Sequence, residues 1–360
     1  MLNFKKKGRL LALLLTFTLA VALLAACSSS APASTPSSDP SGTATPSSSP
    51  SSEKTEEEIT LRIGYGGSLC EAPLHMAVEK GFFDEEGLKV ELIKLAPGTI
   101  FDSITANQID AGFSLLASMI QPLSNGLPVK ITTGLHTGCD KVLVKSDSGI
   151  SSPKDFIGKK VGVPSFTSSP IIFAKRVLAD NSVSVSVQNP QVEFIVYSTT
   201  DLPLALEKGA VDAIAMNDPT ATIAANEYGF TVLFDSALDE PYNKQYCCSA
   251  FVRDNIAEEY PLAAAKYTRA MQKASAWVQD NQDEATRIQV ENKWVAGDAQ
   301  TNAKVLKTFN YIPSVQGAYD IFGIVAPQLQ AVGMLDADVD VIALQKNSFV
   351  FLEGLSEEFK

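Results

Sequence analysis

Short apolar runs alternate with segments of helical hydrophobic spacing from Ile59 onward. LRIGYGG, KVELIKL and AGFSLL are predicted strands, because they are rich in apolar and β-branched residues and are bounded by turn residues. TIFDSITANQ, like the segment that follows the first strand, places apolar residues on one helical face. Strands that alternate with helices in this way predict βαβ units and mainly parallel sheets flanked by helices, an α/β fold.

The same alternation restarts at KKVGVP and closes at TVLFDS, and from Tyr260 the chain becomes helical. Five residues of this last part share one face at i, i+3 and i+4 spacing: Ala263, Tyr267, Ala270, Ala274 and Trp277. This pattern predicts a terminal helical segment that packs one face against the rest of the domain.

The two alternating halves resemble each other. IGYGGSLCEAPLHMA corresponds to VGVPSFTSSPIIFA, and residues 108–111 correspond to residues 210–213 at nearly the same offset. Chance likeness between two βα units is common, but the repeated offset favours a structural duplication into two lobes.

A proline stands at the start of the first predicted helix in each half, Pro73 and Pro170. Proline suits the first turn of a helix, since its missing N–H is not needed there. The polar corner before each proline therefore presents a helix N-terminus, with free N–H groups and a partial positive charge. Because ligands bind beyond the carboxyl ends of strands in open α/β sheets, two such lobes predict a ligand cleft between them.

Residues 1–26 have the pattern of an export signal: four basic residues before position 10 precede the apolar run Leu10–Ala26. This run is short for a membrane-spanning helix. It ends in LAAC, which resembles the lipobox of bacterial lipoproteins and implies a lipid on Cys27; an ordinary signal peptide that ends near a cysteine is the alternative. Residues 27–58, rich in Ser, Pro and Thr, are predicted to be a disordered tether. The protein is therefore predicted to be exported and lipid-anchored on the outer face of the bacterial cell membrane.

Charge and motif content narrow the function. Without the four basic residues of the export signal, 25 Lys and Arg stand against 41 Asp and Glu, a net charge of −16. Such an acidic chain is unsuited to nucleic acid and to a basic membrane-docking face. GYGGSL lacks the third glycine of GxGxxG, and the chain has no GKS/T, GxSxG, HExxH or CxxC motif. These absences favour a binding protein over an enzyme, and we predict no cofactor.

The segment GLHTGC places His136 and Cys139 three residues apart. A metal site needs three or four ligands, of which this pair supplies two, and a nucleophile needs an orienting partner. Two other interpretations remain. In one, the segment is a packed strand end with a hydrogen-bonded histidine; in the other, it is a cleft wall in which His136 and Thr137 face a solute. We favour the cleft wall and predict neither a metal site nor a catalytic residue.

Three segments together resemble the solute-binding proteins of ABC importers, in the branch that binds nitrate, sulfonates, taurine and thiamine-pyrimidine precursors. They are GYGGSLCEAPLHMAVEKGFFDEEGLKVEL, NQIDAGFS and PLALEKGAVDAIAMNDP, and the resemblance extends over residues 61–335. It implies a two-lobed type II periplasmic-binding-protein fold, whose hinge closes on a small-molecule solute. It also implies a monomer that delivers this solute to an ABC permease and ATPase.

In that fold the chain crosses between the lobes twice, here near Lys141–Asp147 and near Phe234–Phe251. Lobe 1 is then predicted as residues 59–143 and 246–360, with the C-terminal helices returning to it, and lobe 2 as residues 144–245. The second crossing brings QYCCSAF beside GLHTGC. A disulfide from Cys139 to Cys247 or Cys248 is one hypothesis, and buried free thiols are the other.

The resemblance implies solute contacts at the strand ends and polar corners of both lobes, although helix capping is the alternative role for Ser169 and Asp218. The candidate contact residues are Ser68, Cys70, Glu71, Ser114, Leu115, His136, Thr137, Cys139, Thr167, Ser168, Ser169, Asp218, Tyr246 and Cys247.

The candidate corners contain no Lys or Arg, so a bare anion would rely on helix N-termini, worth roughly 0.3–1 kcal/mol each. Glu71 and Asp218 would favour a solute with N–H or cationic groups, because a buried unpaired carboxylate is costly. We therefore predict a solute of the amino-sulfonate or aminopyrimidine type rather than nitrate. An exported enzyme related to the pyrimidine-precursor synthases, and a sensory surface lipoprotein, are the alternatives.

Overall fold

The computed structural model describes residues 59–96 and 98–355. The predicted export signal, the lipidation site Cys27 and the tether lie outside the described residues. The described strands are β1 (Thr60–Tyr65), β2 (Lys89–Lys94), β3 (Ala111–Leu115), β4 (Val129–Thr137), β5 (Asp140–Val144), β6 (Lys160–Val163), β7 (Glu193–Val196), β8 (Ala213–Asn217), β9 (Thr231–Asp235) and β10 (Tyr246–Arg253). The described helices are α1 (Ala72–Glu79), α2 (Phe82–Glu85), α3 (Ile100–Thr105), α4 (Leu116–Ser124), α5 (Ser169–Asp180), α6 (Leu202–Glu207), α7 (Thr220–Tyr228), α8 (Asp254–Glu259), α9 (Pro261–Asp280), α10 (Gln282–Glu291), α11 (Ala299–Leu306), α12 (Val315–Ala331) and α13 (Val341–Ser348).

The strands form two 5-stranded sheets of the same topology, in the orders β2-β1-β3-β10-β4 and β7-β6-β8-β5-β9. In each sheet the first three strands are parallel, and the fourth is antiparallel to both of its neighbours. The predicted mainly parallel α/β architecture is confirmed. The equivalence of β1 with β6 and of β3 with β8 agrees with the two sequence matches and supports the duplication.

The chain crosses from the first sheet to the second at Gly138 and Cys139, and it returns between β9 and β10. β5 begins at Asp140 and pairs with β8 and β9 of the second sheet. The predicted first crossing at Lys141–Asp147, and a lobe boundary after residue 143, are therefore too late. The crossing is short because Gly138 and Cys139 have φ angles of 80° and 130°, which turn the chain sharply. Below, lobe 1 is the first sheet with its helices, and lobe 2 is the second.

The C-terminal helices pack on lobe 1, where α9, α12 and α13 contact β4. The predicted apolar face of α9 is confirmed, because Tyr267, Ala270 and Ala274 are fully buried and the Tyr267 hydroxyl donates to the Gly112 carbonyl at 2.6 Å. A second apolar cluster joins α4 and α12 of lobe 1 to α5 of lobe 2, so the lobes are packed together. Among the described residues, no helix has the length and apolar character needed to cross a bilayer.

Candidate functional site

A small polar cavity of about 40 Å³ lies between the lobes, where α5 faces the two crossing segments. We call it the interlobe cavity. A space of this size holds roughly three water molecules, so the lobes are closed here. Its polar lining combines both lobes and both crossings: Asp140, Ser169, Arg176, Gln245, Tyr246 and Cys247.

Asp140 is the first residue of β5, and its side chain is buried at the cavity wall. The Ser169 hydroxyl donates to Oδ2, whereas Oδ1 has no hydrogen-bond partner among the described residues. Burial raises the pKa of Asp140 to about 7, although the Ser169 hydrogen bond and the Arg176 charge act in the opposite direction. The cavity therefore contains a carboxyl group with a free acceptor oxygen.

Arg176 supplies a buried cation to the same cavity. It follows Ser169 by two helical turns and therefore lies on the same face of α5. Its Nε donates to Gln328 at 2.8 Å and its Nη2 donates to Gln245 at 2.5 Å. Burial lowers the pKa of Arg176, but a guanidinium remains protonated at neutral pH. Because Gln328 belongs to α12, Arg176 also links lobe 2 to lobe 1.

A larger, mostly apolar groove of about 680 Å³ adjoins the interlobe cavity, because Ala117 and Ile172 line both. We call it the outer groove. Phe166 lines it with 61% of its surface exposed. Lys175, also in the lining, lies with Nζ 5.5 Å from the ring centroid of Phe194. The polar cavity therefore opens beside an apolar surface that carries a positive charge.

The corner before α5 has the predicted proline in the first helical turn, but its side chains are used differently. Ser168, not Ser169, is the N-cap residue, and its hydroxyl donates to the Ser165 carbonyl at 2.9 Å. Ser169 lines the interlobe cavity, and Thr167 lines the outer groove. Of the three predicted contacts Thr167, Ser168 and Ser169, only Ser169 lies at the interlobe cavity.

Glu71 faces its own corner rather than the interlobe cavity. Its carboxylate accepts hydrogen bonds from the backbone N–H groups of Gly66 at 2.7 Å, Gly67 at 2.5 Å and Ser68 at 2.8 Å. Burial raises the pKa of Glu71 to about 7, and the three hydrogen bonds oppose this rise. A solute contact by Glu71 does not fit this arrangement, because three donors already occupy the carboxylate.

The Asp218 carboxylate, like that of Glu71, already has its partners, and all of them belong to lobe 2. It pairs with Lys141, which also lies 3.3 Å from Asp235, and it accepts hydrogen bonds from the backbone N–H and hydroxyl of Thr222. Successive residues of a strand point to opposite faces, so Lys141 and its acids lie on the other side of β5 from Asp140. The predicted solute contact by Asp218 is therefore not found at the interlobe cavity.

His136 lies in the core of lobe 1, fully buried, instead of forming a cleft wall. Its ring stacks on Phe309 with centroids 5.4 Å apart and packs against Tyr311 at 4.9 Å. Thr137 is also buried, and its Oγ1 accepts a hydrogen bond from the Asn310 N–H at 3.3 Å. The segment after α11 covers this strand end, a long-range contact that the local pattern GLHTGC did not reveal.

Four further predicted contact residues lie in three different places: in β3, at the interlobe cavity and at the corner before α1. Ser114 and Leu115 are half-buried in β3, paired with Ser249 and Cys248. Tyr246 lines the interlobe cavity, and its hydroxyl donates to the Ile312 carbonyl. Ser68 is half-buried at the corner before α1, with its Oγ 3.1 Å from Cys70 Sγ.

Four cysteines meet beneath the interlobe cavity. The Sγ atoms of Cys70, Cys139 and Cys248 lie within 4.8 Å of one another, and Cys247 forms a second such group with Cys139 and Asp140. All four are free thiols in this structure, three of them buried and Cys247 half-buried. Burial raises the pKa values of Cys139 and Cys248 well above their usual range. Irregular pairing of β10 with β4 at Cys248 lets the two adjacent cysteines approach Cys139 together.

His75, in α1, makes the stability of lobe 1 depend on pH. Its buried ring stacks on Trp294 at 4.4 Å, and burial lowers its pKa from 6.5 to about 3. The unfolded chain therefore binds a proton that the folded chain excludes, and stability falls as the pH drops from about 6.5 toward 3. We expect a loss of about 2 kcal/mol between pH 7 and pH 5 from this group.

Urea unfolding at both pH values measures this loss. In a His75→Gln variant, which keeps a polar group beside Gln289, the difference in unfolding free energy between the two pH values should shrink by about 2 kcal/mol. Equal losses in the variant and the unchanged protein would assign the acid sensitivity to other groups.

Comparisons with known proteins agree with this architecture. The family model described as NMT1/THI5 like matches residues 71–285. A protein of Bacillus subtilis (strain 168) named for binding aliphatic sulfonates is 26% identical over 235 residues, which are 63% of this chain and 68% of that protein. A 4-amino-5-hydroxymethyl-2-methylpyrimidine phosphate synthase of Aspergillus parasiticus is 31% identical over 109 residues, 29% of this chain and 32% of the synthase.

Among solved structures, the periplasmic aliphatic sulphonate binding protein SsuA from Escherichia coli superimposes with a TM-score of 0.67 at 18% identity. The match covers 85% of this chain and 97% of that chain. At this identity the likeness shows the fold, that of the periplasmic binding proteins.

Proposed function

Because this chain belongs to the NMT1/THI5-like family, we propose that it is the solute receptor of an ABC importer. Two lobes of equal topology, joined by two crossing segments and enclosing a polar cavity, support this role. The lipobox supports a lipid anchor on Cys27 at the outer face of the cell membrane. The partners are then a small-molecule solute, the permease and the ATPase, with the receptor itself a monomer.

The proposal depends on one observation: the Asp140 carboxyl group and the Arg176 guanidinium both line the same buried cavity. A bare anion would meet the Asp140 carboxyl group, and a bare cation would meet the Arg176 guanidinium. A solute with both an acidic group and an amino group satisfies both side chains, and a guanidinium can hold a planar or tetrahedral oxyanion through two parallel N–H donors. We therefore propose a zwitterion of the amino-sulfonate class.

The volume of the interlobe cavity limits which solutes it can hold without a conformational change. A cavity of about 40 Å³ is too small for an amino-sulfonate without rearrangement. Binding then requires lobe 2 to rotate away from lobe 1 and close again, with the solute replacing Gln245 or Gln328 as the partner of Arg176. The outer groove supplies the adjoining apolar space for the carbon chain.

Thermal shift and isothermal calorimetry with matched solutes test this function. We expect an amino-sulfonate at 100 times its Kd to stabilise the protein by about 2.7 kcal/mol. The same sulfonate without its amino group should bind at least about tenfold more weakly, because the Asp140 carboxyl loses its donor. Tight binding of nitrate or sulfate, with no binding of aminated organic molecules, would refute the proposed solute class.

The similarity to a pyrimidine-precursor synthase keeps one enzymatic alternative under test. His136 does not favour it, since the ring is enclosed by Phe309 and Tyr311 and does not line the interlobe cavity. We expect a bound solute to be recovered unchanged after prolonged incubation, as judged by mass spectrometry. Turnover that is lost on His136→Ala would establish the enzyme instead.

A further inference from the structure

The cysteine cluster gathers three distant parts of the chain. Cys70 lies in the corner between β1 and α1, Cys139 in the first crossing, and Cys248 at the return into lobe 1. Their three sulfur atoms lie within 4.8 Å of one another, and the residues are 4%, 1% and 0% exposed. Three ligand atoms each about 2.3 Å from one ion are about 4 Å apart, so coordination requires displacements below about 1 Å.

Cys139 occupies a backbone conformation that disfavours a side chain. Its φ is 130°, in the left-handed region that glycine adopts without strain, and the neighbouring Gly138 has a φ of 80°. A non-glycine residue there costs about 1–3 kcal/mol. The Cys139 thiol therefore lies at a strained backbone position, and its sulfur is within 4.8 Å of those of Cys70 and Cys248.

Two buried polar groups beside the cluster lack partners among the described residues. The Tyr311 hydroxyl has no hydrogen bond although the residue is 2% exposed, and Asp140 Oδ1, next in sequence to Cys139, is also unpaired. Buried polar atoms are normally satisfied, and exceptions point to a missing water or ion. Two polar atoms beside the thiols, the Tyr311 hydroxyl and Asp140 Oδ1, are therefore free to contact a bound species.

We propose that Cys70, Cys139 and Cys248 bind one thiophilic d10 metal ion, Cu(I), as three thiolate ligands. Thiolates select Cu(I) and Zn(II) among the biological metals. Structural Zn(II) takes four ligands, but no fourth His, Cys, Asp or Glu within the described ranges lies within 4.8 Å of all three sulfur atoms. Three-coordinate Cu(I) fits this set, and each thiol releases its proton to solvent on binding. This assignment replaces the expectation from GLHTGC alone that no metal is bound.

The ion would join the first crossing to lobe 1. Cys139 lies in that crossing, Cys248 lies in β10 close to the point where the chain re-enters lobe 1, and Cys70 lies in the corner before α1. A bound ion therefore restrains the hinge independently of any solute in the interlobe cavity. Metal binding and solute binding are accordingly measured by separate experiments.

An anaerobic titration of the full reduced chain with Cu(I), against bicinchoninate as competing chelator, tests the site. All samples carry Cys27→Ser, so that the thiol predicted to carry the lipid does not contribute. We expect one equivalent of Cu(I) to be withdrawn from the chelator and X-ray absorption to show a sulfur-only ligand shell. Cys139→Ser should weaken binding by at least about 100-fold, since changes to groups that only hydrogen-bond to a ligand already cost about 10–100-fold.

Ser249→Ala is the matched control, because Ser249 is adjacent in sequence to Cys248 and equally buried but carries no sulfur. It should leave the affinity for Cu(I) within about threefold, since it removes no ligand. Thermal unfolding of each metal-free variant checks that it folds, and Cys70→Ala provides a second variant if Cys139→Ser does not.

Four results would overturn the proposal. They are failure to compete with bicinchoninate, equal weakening by Ser249→Ala, Zn(II) bound more tightly with an oxygen ligand, and a disulfide among the three cysteines in protein purified without reductant.

Discussion

Replacing Lys141 with methionine is expected to destabilise the protein by about 3–5 kcal/mol, because it breaks a buried ion pair. Lys141 is 5% exposed and lies between the carboxylates of Asp218 and Asp235. Burial lowers the pKa of Lys141, but the two carboxylates outweigh it and raise the pKa above its usual range. Methionine preserves the apolar stem and leaves two buried negative charges without their cation.

Urea denaturation followed by circular dichroism measures this change. Lys145→Met, at the first residue after the same strand, should shift the free energy of unfolding by less than about 0.5 kcal/mol, because the Lys145 ammonium has no carboxylate partner among the described ion pairs. Adding Asp218→Asn to Lys141→Met should restore part of the stability, because it removes one of the two uncompensated charges. A double variant less stable than Lys141→Met would mean that the ion pair is not the source of the loss.

The fold could be predicted from the sequence because its signals are local. Apolar periodicity and prolines in the first helical turns act within a single strand or helix, and the two sheets reproduce them. The repeated offset of two strand-preceding turns is a longer-range signal, but it is read directly by comparing the two halves. The first crossing was placed too late because KVLV continues the apolar pattern of a strand without marking which sheet it joins. Strand partners are decided by the sharp turn at Gly138 and Cys139, whose φ angles no composition rule predicts.

The site was harder to predict because it depends on contacts between distant segments. His136 and Thr137 stand at a strand end, as expected, but the segment around Phe309 and Tyr311 covers them. Arg176 carries a usable signal, since it lies two helical turns after Ser169, but it stands outside the polar corners that mark the strand ends. Its importance appears when Gln245 and Gln328 come from far along the chain to meet it.

Arg176→Gln is expected to weaken solute binding by at least about 30-fold, equivalent to about 2 kcal/mol or more. The guanidinium is the cation that lines the interlobe cavity, so an acidic solute group loses its charged donor when Arg176 is replaced. Glutamine retains a donor of similar reach, which limits the change to charge and fork geometry. Calorimetric titration with an amino-sulfonate measures the loss directly.

A control variant that removes one positive charge far from the cavity distinguishes the loss of the Arg176 contact from a change in the protein's overall electrostatic potential. Arg287→Gln removes the same charge from the exposed surface of α10, with 53% of that side chain exposed, and should alter the affinity by less than about twofold because solvent and salt screen it. An amine that lacks the sulfonate should lose little affinity in Arg176→Gln, since it never used the guanidinium. If instead the amine and the amino-sulfonate weaken equally, Arg176 acts through its links to Gln245 and Gln328, and the solute contacts another part of the cleft.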